Sequence, residues 1–400
     1  MSLRINYAKS VHGKNEINQI IKVLKNSTQM GKYTREFEKK VCKLFSKKFG
    51  LMVNSGSSAL LLAYETIPIP KGSNIITPVL TFSTTVSMML KAGYIPNFID
   101  INDKTFCINE NQIENAINKK TKAISIPNLL GNLPNWPLIY KIAKKNNLLI
   151  IEDSADTLGA TINNFSSGKF SDISITSFYG SHIINCAGNG GMVCFNNKKI
   201  YNRAKLLRSW GRSSSLYDDK SEKIQNRFNI KIDGIQYDKK FIFSELGYNL
   251  EPSELGSAFG LIQLQKLNFN IKKRTNSFNS HTNFLSKFSN FIETPLQLNN
   301  VKTGWLAYPI TVKNNKYFNR TEFQIFLEKN NIQTRVVFTG NIQRQPAFQN
   351  IKCIKKRSYQ YADKIMKNSL LVACHHGLSN KEIKYLYSTI IKFFKNKKIY

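Results

Sequence analysis

The sequence predicts an α/β protein, with a large domain over residues 1–270 and a smaller α+β domain over residues 271–400. Three observations lead there. Over the first two hundred or so residues, short β-rich runs alternate with stretches of helical periodicity. Glycine-containing turns punctuate that alternation at Gly56 and at Gly188–Gly191, and the first opens directly into a helix. Asp153 ends the apolar run Leu148-Leu149-Ile150-Ile151, so a carboxylate stands at the carboxyl end of a buried strand, where α/β folds place ligand groups.

Seven strands are expected, at Leu51–Asn54, Asn74–Thr77, Ile95–Ile99, Ala123–Ile126, Leu148–Glu152, Ile173–Phe178 and Met192–Phe195. Helices fall between them at Thr34–Lys47, Ser58–Thr66 and Asn135–Lys145, the last carrying Trp136, Ile139, Ile142 and Ala143 on one face. Residues 213–243 are polar and poorly periodic, which reads as a long loop or insertion, and such loops are commonly functional. A helix carrying Leu255, Phe259, Ile262, Leu264 and Leu267 follows. Beyond it, strands at Ala307–Val312 and Gln333–Val337 mix with further helices.

Composition narrows the function classes. Four hundred residues, 42% of them apolar, suffice for a large core, yet no apolar run approaches the ~20 residues that span a bilayer. Residues 1–15 lack the apolar stretch and cleavage site of a secretory signal. Six scattered cysteines without a CxxC pair read as reduced thiols of a cytoplasmic protein, not as a zinc site or disulfide framework. The formal charge of +33 raises nucleic-acid binding. The lysines, however, are spread along the chain among Asn and Ile, and the run Lys392, Lys395, Lys397, Lys398 reads as a solvated helix face. The expectation is therefore neither nucleic acid nor membrane; the charge would help attract a polyanionic small molecule.

Two segments carry chemistry. In Asn54-Ser55-Gly56-Ser57-Ser58-Ala59-Leu60, a glycine turn leads into a helix whose free N–H groups and hydroxyls can hold a phosphate, although a simple Ser N-cap gives the same pattern. The second is Ser177-Phe178-Tyr179-Gly180-Ser181-His182, running on to Gly190-Gly191, read with Glu152-Asp153-Ser154-Ala155-Asp156 upstream.

Together these segments resemble the DegT/DnrJ/EryC1/StrS family of sugar aminotransferases, and with it the resemblance implies a fold-type-I pyridoxal-phosphate protein. Matching stretches extend nearly end to end, including Met30-Gly31-Lys32-Tyr33, Asn128-Leu129-Leu130-Gly131-Asn132, Ser209-Trp210-Gly211-Arg212 and Thr339-Gly340-Asn341-Ile342-Gln343-Arg344-Gln345-Pro346. Transaminating members carry lysine where this chain has His182, and that lysine tethers the cofactor covalently. Imidazole cannot form the tether. Asp156 stands where those members have glutamine. Both departures point to the lysine-less 3-dehydratase branch, which acts on GDP- or CDP-linked 4-keto-6-deoxyhexoses.

The resemblance further implies Ser57, Ser58 and Ser177 on the cofactor phosphate, Asp153 beside the pyridine nitrogen and Phe82 stacked on the ring. It implies Asn249 reaching the phosphate across a homodimer interface, with His182 and Asp156 catalytic. The expected cofactor is pyridoxal 5′-phosphate or pyridoxamine 5′-phosphate. No iron-sulfur cluster is expected, because residues 213–243 contain no cysteine where the ascarylose-type relative binds one. The expected partners are a nucleotide-linked 4-keto-6-deoxyhexose and an amino donor, L-glutamate, although Glu251 stands where many relatives have a basic residue. Two rivals stay open: an aminotransferase using another lysine, and a non-catalytic binder of cofactor or sugar nucleotide. For the first, Lys169 is the nearest upstream, but it precedes the strand that ends near Ser177.

Overall fold

A computed structural model describes residues 3–217, 224–355 and 358–399. The large sheet is built from β1 (Phe49–Val53), β2 (Asn74–Pro78), β3 (Ile95–Ile99), β4 (Thr121–Pro127) and β5 (Leu149–Asp153). After the short strands β6 (Thr161–Ile162) and β7 (Phe165–Ser166), it is completed by β8 (Ile173–Ser177) and β9 (Gly191–Phe195). The strand order is β1-β9-β8-β5-β4-β2-β3. The pairings β3–β2, β2–β4, β4–β5 and β5–β8 are parallel, and β9 runs antiparallel to both of its neighbours. All seven expected strands are present, with ends displaced by no more than two residues.

These strands are apolar on both faces because helices cover both faces, the arrangement a mostly parallel sheet requires. The Trp136–Lys145 helix shows how local sequence sets this up. Asn135 caps it by accepting the Leu138 N–H, and Trp136, Ile139, Ile142 and Ala143 are buried on the face that the sequence predicts.

Residues 213–243 are not the bare loop expected from their polarity. A short turn at Ser213–Leu216 is followed, beyond residues 218–223, which lie outside the described residues, by an antiparallel hairpin of β10 (Ile230–Ile232) and β11 (Ile235–Tyr237). Two residues, Asp233 and Gly234, turn the hairpin, both at positive φ, as a tight two-residue turn needs. The alternation on each three-residue strand is too short to register as a β pattern.

A second sheet joins β12 (Ile292–Glu293), β14 (Ala307–Val312), β16 (Ser369–Ala373) and β15 (Arg335–Val336), in the order β12-β14-β16-β15, while β13 (Val301–Lys302) pairs back onto β6. The Leu267–Leu285 helix runs unbroken through residue 270. One buried cluster joins Ile5, Val79 and Leu129 with Tyr308, Leu371 and Phe393. The helix and this cluster both run across the division expected near residue 270, and β13 returns from beyond it to β6. Among the described residues no helix is long and apolar enough to cross a membrane.

Candidate active site

Pro127, Asp153 and Ser177 end β4, β5 and β8, and all three line one cavity of about 350 Å³. Ligand sites in open α/β sheets lie at this end of the strands. Six of the eight expected site residues line it: Ser57, Phe82, Asp153, Asp156, Ser177 and His182.

At one end, the turn after β1 meets the end of β8 and the start of β9. A Cβ on Gly56 would come within 2.7 Å of the Ser177 Cβ, and one on Gly191 within 2.2 Å of the Ser55 carbonyl oxygen. Glycine at both positions is what lets three backbones converge here. Ser55 caps the Gly56–Thr66 helix by accepting the Ser58 N–H at 3.1 Å. The first N–H groups of that helix have no acceptor within it, and they open beside the Ser57 and Ser177 hydroxyls as a site for an anion. Ser58 does not line the cavity: its hydroxyl donates to Asn54 Oδ1 at 2.6 Å and lies 2.9 Å from Ser55 Oγ.

Consecutive strand residues point to opposite faces, which divides the Glu152-Asp153 pair into two tasks. Glu152 is fully buried on the far face and accepts from Asn128, Ser154, Ser171 and Ser174, so it is framework. Asp153 faces the cavity, accepting from Thr85 Oγ1 at 3.0 Å and from the Ala155 N–H at 3.1 Å. Burial pushes its carboxyl up to about 6, a state that a cation placed against it would relieve.

Asp156 and His182 face each other, Oδ1 to Nε2, at 3.9 Å. The imidazole Nδ1 lies 3.1 Å from the Ser177 carbonyl oxygen, which can only accept. Nδ1 therefore carries the proton, and Nε2 presents a bare lone pair towards Asp156. Burial, reinforced by the nearby Arg274 charge, pulls His182 down to about 4. Burial and the neighbouring Asp153 push Asp156 up to about 7. With His182 neutral above about 4, the two are not an ion pair at neutral pH. The other Asp156 oxygen accepts the Leu130 N–H at 3.0 Å. Leu130 holds a positive φ of 59°, a cost that non-glycine residues bear mostly where the surroundings fix them.

Three further features were not anticipated from the sequence. Tyr7 and Leu306 also line the cavity. Arg274, fully buried, donates to the carbonyls of Trp305, Leu306 and Ser181 and so braces the residue next to His182. Its signal was available: an arginine on the same helix face as Leu267, Asn270 and Phe278 is a cation aimed into the core. Tyr7 belongs to no motif and left none.

Asn249 does not line the cavity; it sits on an exposed segment that bridges to Ser209. The Thr339–Pro346 segment is fastened beside Phe82: Thr339 Oγ1 donates to the Thr81 carbonyl at 2.6 Å, and the Phe338 and Phe82 rings meet edge-on at 5.8 Å. Its Arg344 is committed to Asp363 rather than turned inward.

The donors suit a flat cofactor with an anionic tail. The same cavity is lined by hydroxyls beside a helix start, by a carboxylate with an elevated pKa suited to a ring nitrogen, and by the 52% exposed Phe82 ring as a stacking face. Among the described residues lining the cavity there is no lysine.

A profile of the "DegT/DnrJ/EryC1/StrS aminotransferase family" matches residues 11–391. The chain is 33% identical over 374 residues to the lipopolysaccharide biosynthesis protein RfbH of Salmonella typhimurium, covering 91% of this chain and 85% of that one. Among solved structures, the E. coli GDP-4-keto-6-deoxy-D-mannose-3-dehydratase with bound hydrated PLP superimposes with a TM-score of 0.85 at 28% identity, over 97% of this chain and 100% of that one. A structure of a dehydratase of the same name holds a trapped PLP-glutamate geminal diamine; it matches with a TM-score of 0.85 at 27% identity, over 96% and 99% of the two chains. The Helicobacter pylori aminotransferase PseC matches as well, with a TM-score of 0.86 at 25% identity, over 98% and 100%.

Proposed function

The chain belongs to the DegT/DnrJ/EryC1/StrS aminotransferase family, and from that premise we propose that it is a 3-dehydratase of a nucleotide-linked 4-keto-6-deoxyhexose. Its cofactor is pyridoxal 5′-phosphate or the pyridoxamine form. One observation carries the reading: the cavity holds a neutral imidazole with a bare Nε2, and no lysine lines it among the described residues.

Ser57, Ser177 and the helix start would hold the phosphate, Asp153 the ring nitrogen, and Phe82 one face of the ring. Bound as pyridoxamine phosphate, the cofactor supplies an amine for the sugar ketone and an electron sink for departure of the 3-hydroxyl. His182 takes up a proton at Nε2, being uncharged at a pH where most lysine amines are protonated. Asp156 stands next to that nitrogen and stabilises the imidazolium once it forms. Ser177 fixes the tautomer and Arg274 braces the loop behind it.

The amino donor in this reading is L-glutamate, as the glutamate adduct in the similar dehydratase suggests. The active species is a homodimer in which Asn249 completes the partner's phosphate site. The exposed apolar side chains around Asn249 favour an interface there, with Phe243 58% and Leu246 99% exposed. We place the enzyme in the cytoplasm, in keeping with six unpaired cysteines.

The test is to incubate the protein with pyridoxamine phosphate and a panel of GDP-, CDP-, dTDP- and UDP-linked 4-keto-6-deoxyhexoses, following mass. Loss of the C-3 hydroxyl supports the reading. A sugar that instead gains an amine at C-4 makes the protein an aminotransferase, and no change with any sugar favours a binding protein.

A further inference from the structure

The first described residues bring a different kind of group to the cavity. Ile5 pairs with the 331–333 segment, its N–H on the Asn331 carbonyl and its own carbonyl accepting from Gln333, each at 2.9 Å. Gln333 Oε1 then takes the Tyr7 N–H at 3.1 Å, and His375 Nε2 lies 3.1 Å from the Asn6 carbonyl oxygen. A segment pinned at three successive residues has little freedom, and it sets the Tyr7 ring on the cavity wall with Asp156, Leu306 and Phe338. The Arg335 guanidinium lies 5.4 Å from the ring centroid and helps to hold it.

Among the described residues the Tyr7 hydroxyl makes no hydrogen bond, and it is not one of the buried polar atoms sealed without a partner. It is thus a fixed donor and acceptor open to the cavity. Burial and the charge on Asp156 hold its proton well above the usual phenol range, so it stays an uncharged hydroxyl at working pH. No lysine or arginine lines this cavity among the described residues. The charged lining residue that acts most on Tyr7 is the acid Asp156, so this side of the wall suits the neutral hydroxyls of a sugar better than its phosphates.

We propose that Tyr7 is a specificity-determining residue whose hydroxyl hydrogen-bonds an oxygen of the hexose ring. This rests on reading the cavity as a sugar-nucleotide site, though not on which reaction the site performs.

The experiment is calorimetric titration of PLP-loaded protein, which has no cofactor amine to react with the ketone. The probes are GDP-4-keto-6-deoxy-D-mannose against GDP and dTDP-4-keto-6-deoxy-D-glucose against dTDP. Wild type should gain affinity from at least one sugar, and Tyr7→Phe should lose about 10-fold of that gain. Binding of the bare diphosphates, cofactor occupancy and melting temperature should stay as in wild type. An equal gain in both proteins overturns the proposal, as does no gain in wild type. A loss extending equally to the bare diphosphates makes Tyr7 a packing residue and also overturns it. If this pattern holds but no sugar is dehydrated, the 3-dehydratase reading fails and the Tyr7 assignment stands.

Discussion

The cavity wall and the arm from Phe228 to Tyr248 satisfy their groups in opposite ways. In the wall, polar atoms are held from several directions: Asp153 by Thr85 and Ala155, Asp156 by Leu130, and His182 by the Ser177 carbonyl. In the arm, Ile235, Phe243 and Leu246 are 67%, 58% and 99% exposed, with no core beneath them. Exposed apolar residues are ordinary one at a time, and it is their number along this one arm that favours an interface there. The difference teaches that the proposed proton chemistry is assembled within one chain, while the arm is where the proposed homodimer interface would have to form.

The largest expected effect tests the first half of that statement. His182→Asn keeps the phosphate hydroxyls, Asp153 and Phe82, so cofactor should still bind. Washout of the cofactor C4′ hydrogen into heavy water, with a 4-keto sugar bound, should slow by ~10²–10⁴-fold, the usual contribution of a positioned base. Equal rates in the two proteins would return His182 to the role of a packing residue. The complementary variant His182→Lys should acquire a borohydride-stable adduct that wild type lacks, read as intact mass.

A second test addresses how tightly the wall is determined. The Asp156 carboxyl titrates at about 3.8 in an unfolded chain and at about 7 in the fold. Between those values the folded protein keeps a proton that the unfolded chain releases. The resulting stabilisation is complete below pH 3.8 and is lost as the pH rises through 7. Asparagine mimics the protonated form and can still accept from Leu130. Asp156→Asn should therefore gain stability relative to wild type between about pH 5 and pH 8, on the order of 1–3 kcal/mol. His182 contributes in the opposite sense in both proteins, adding stability as the pH rises from about 4 to 6.5, so the comparison is read most directly above pH 6.5. Urea unfolding of the cofactor-free proteins measures the difference, and parallel pH profiles would show that Asp156 is ionised throughout.

Most of the wall was legible in the sequence because its residues sit at strand ends and glycine turns, where position along the chain nearly fixes position in space. Asp153 could be placed from the four apolar residues before it, and Ser57 and Ser177 from their motifs. Ser58 was half legible: the same serine pattern serves capping and phosphate binding, and only coordinates show its hydroxyl turned to Asn54. Tyr7 could not be found, since it reaches the wall through pairing with residues over three hundred positions away. The arm escaped for a different reason. Three-residue strands carry too little alternation to stand out, and their apolar side chains have no periodic partner within this chain.

The smallest expected effect joins the two regions. If the arm is covered by a second copy, Asn249 serves the partner's cavity and not its own, which it does not line. Asn249→Ala should then weaken cofactor binding by about 10-fold, the loss expected for one hydrogen bond to a charged phosphate. Direction can be tested by mixing. In a heterodimer of Asn249→Ala with His182→Asn subunits, one cavity carries both defects. The other combines an intact His182 with an intact Asn249 from its neighbour. Unfolding and refolding the two impaired proteins together should restore up to about half of the wild-type activity per heterodimer, because one cavity of two is whole. If Asn249 instead acted within its own chain, every cavity in the mixture would keep one defect, and activity would stay at the average of the two variants.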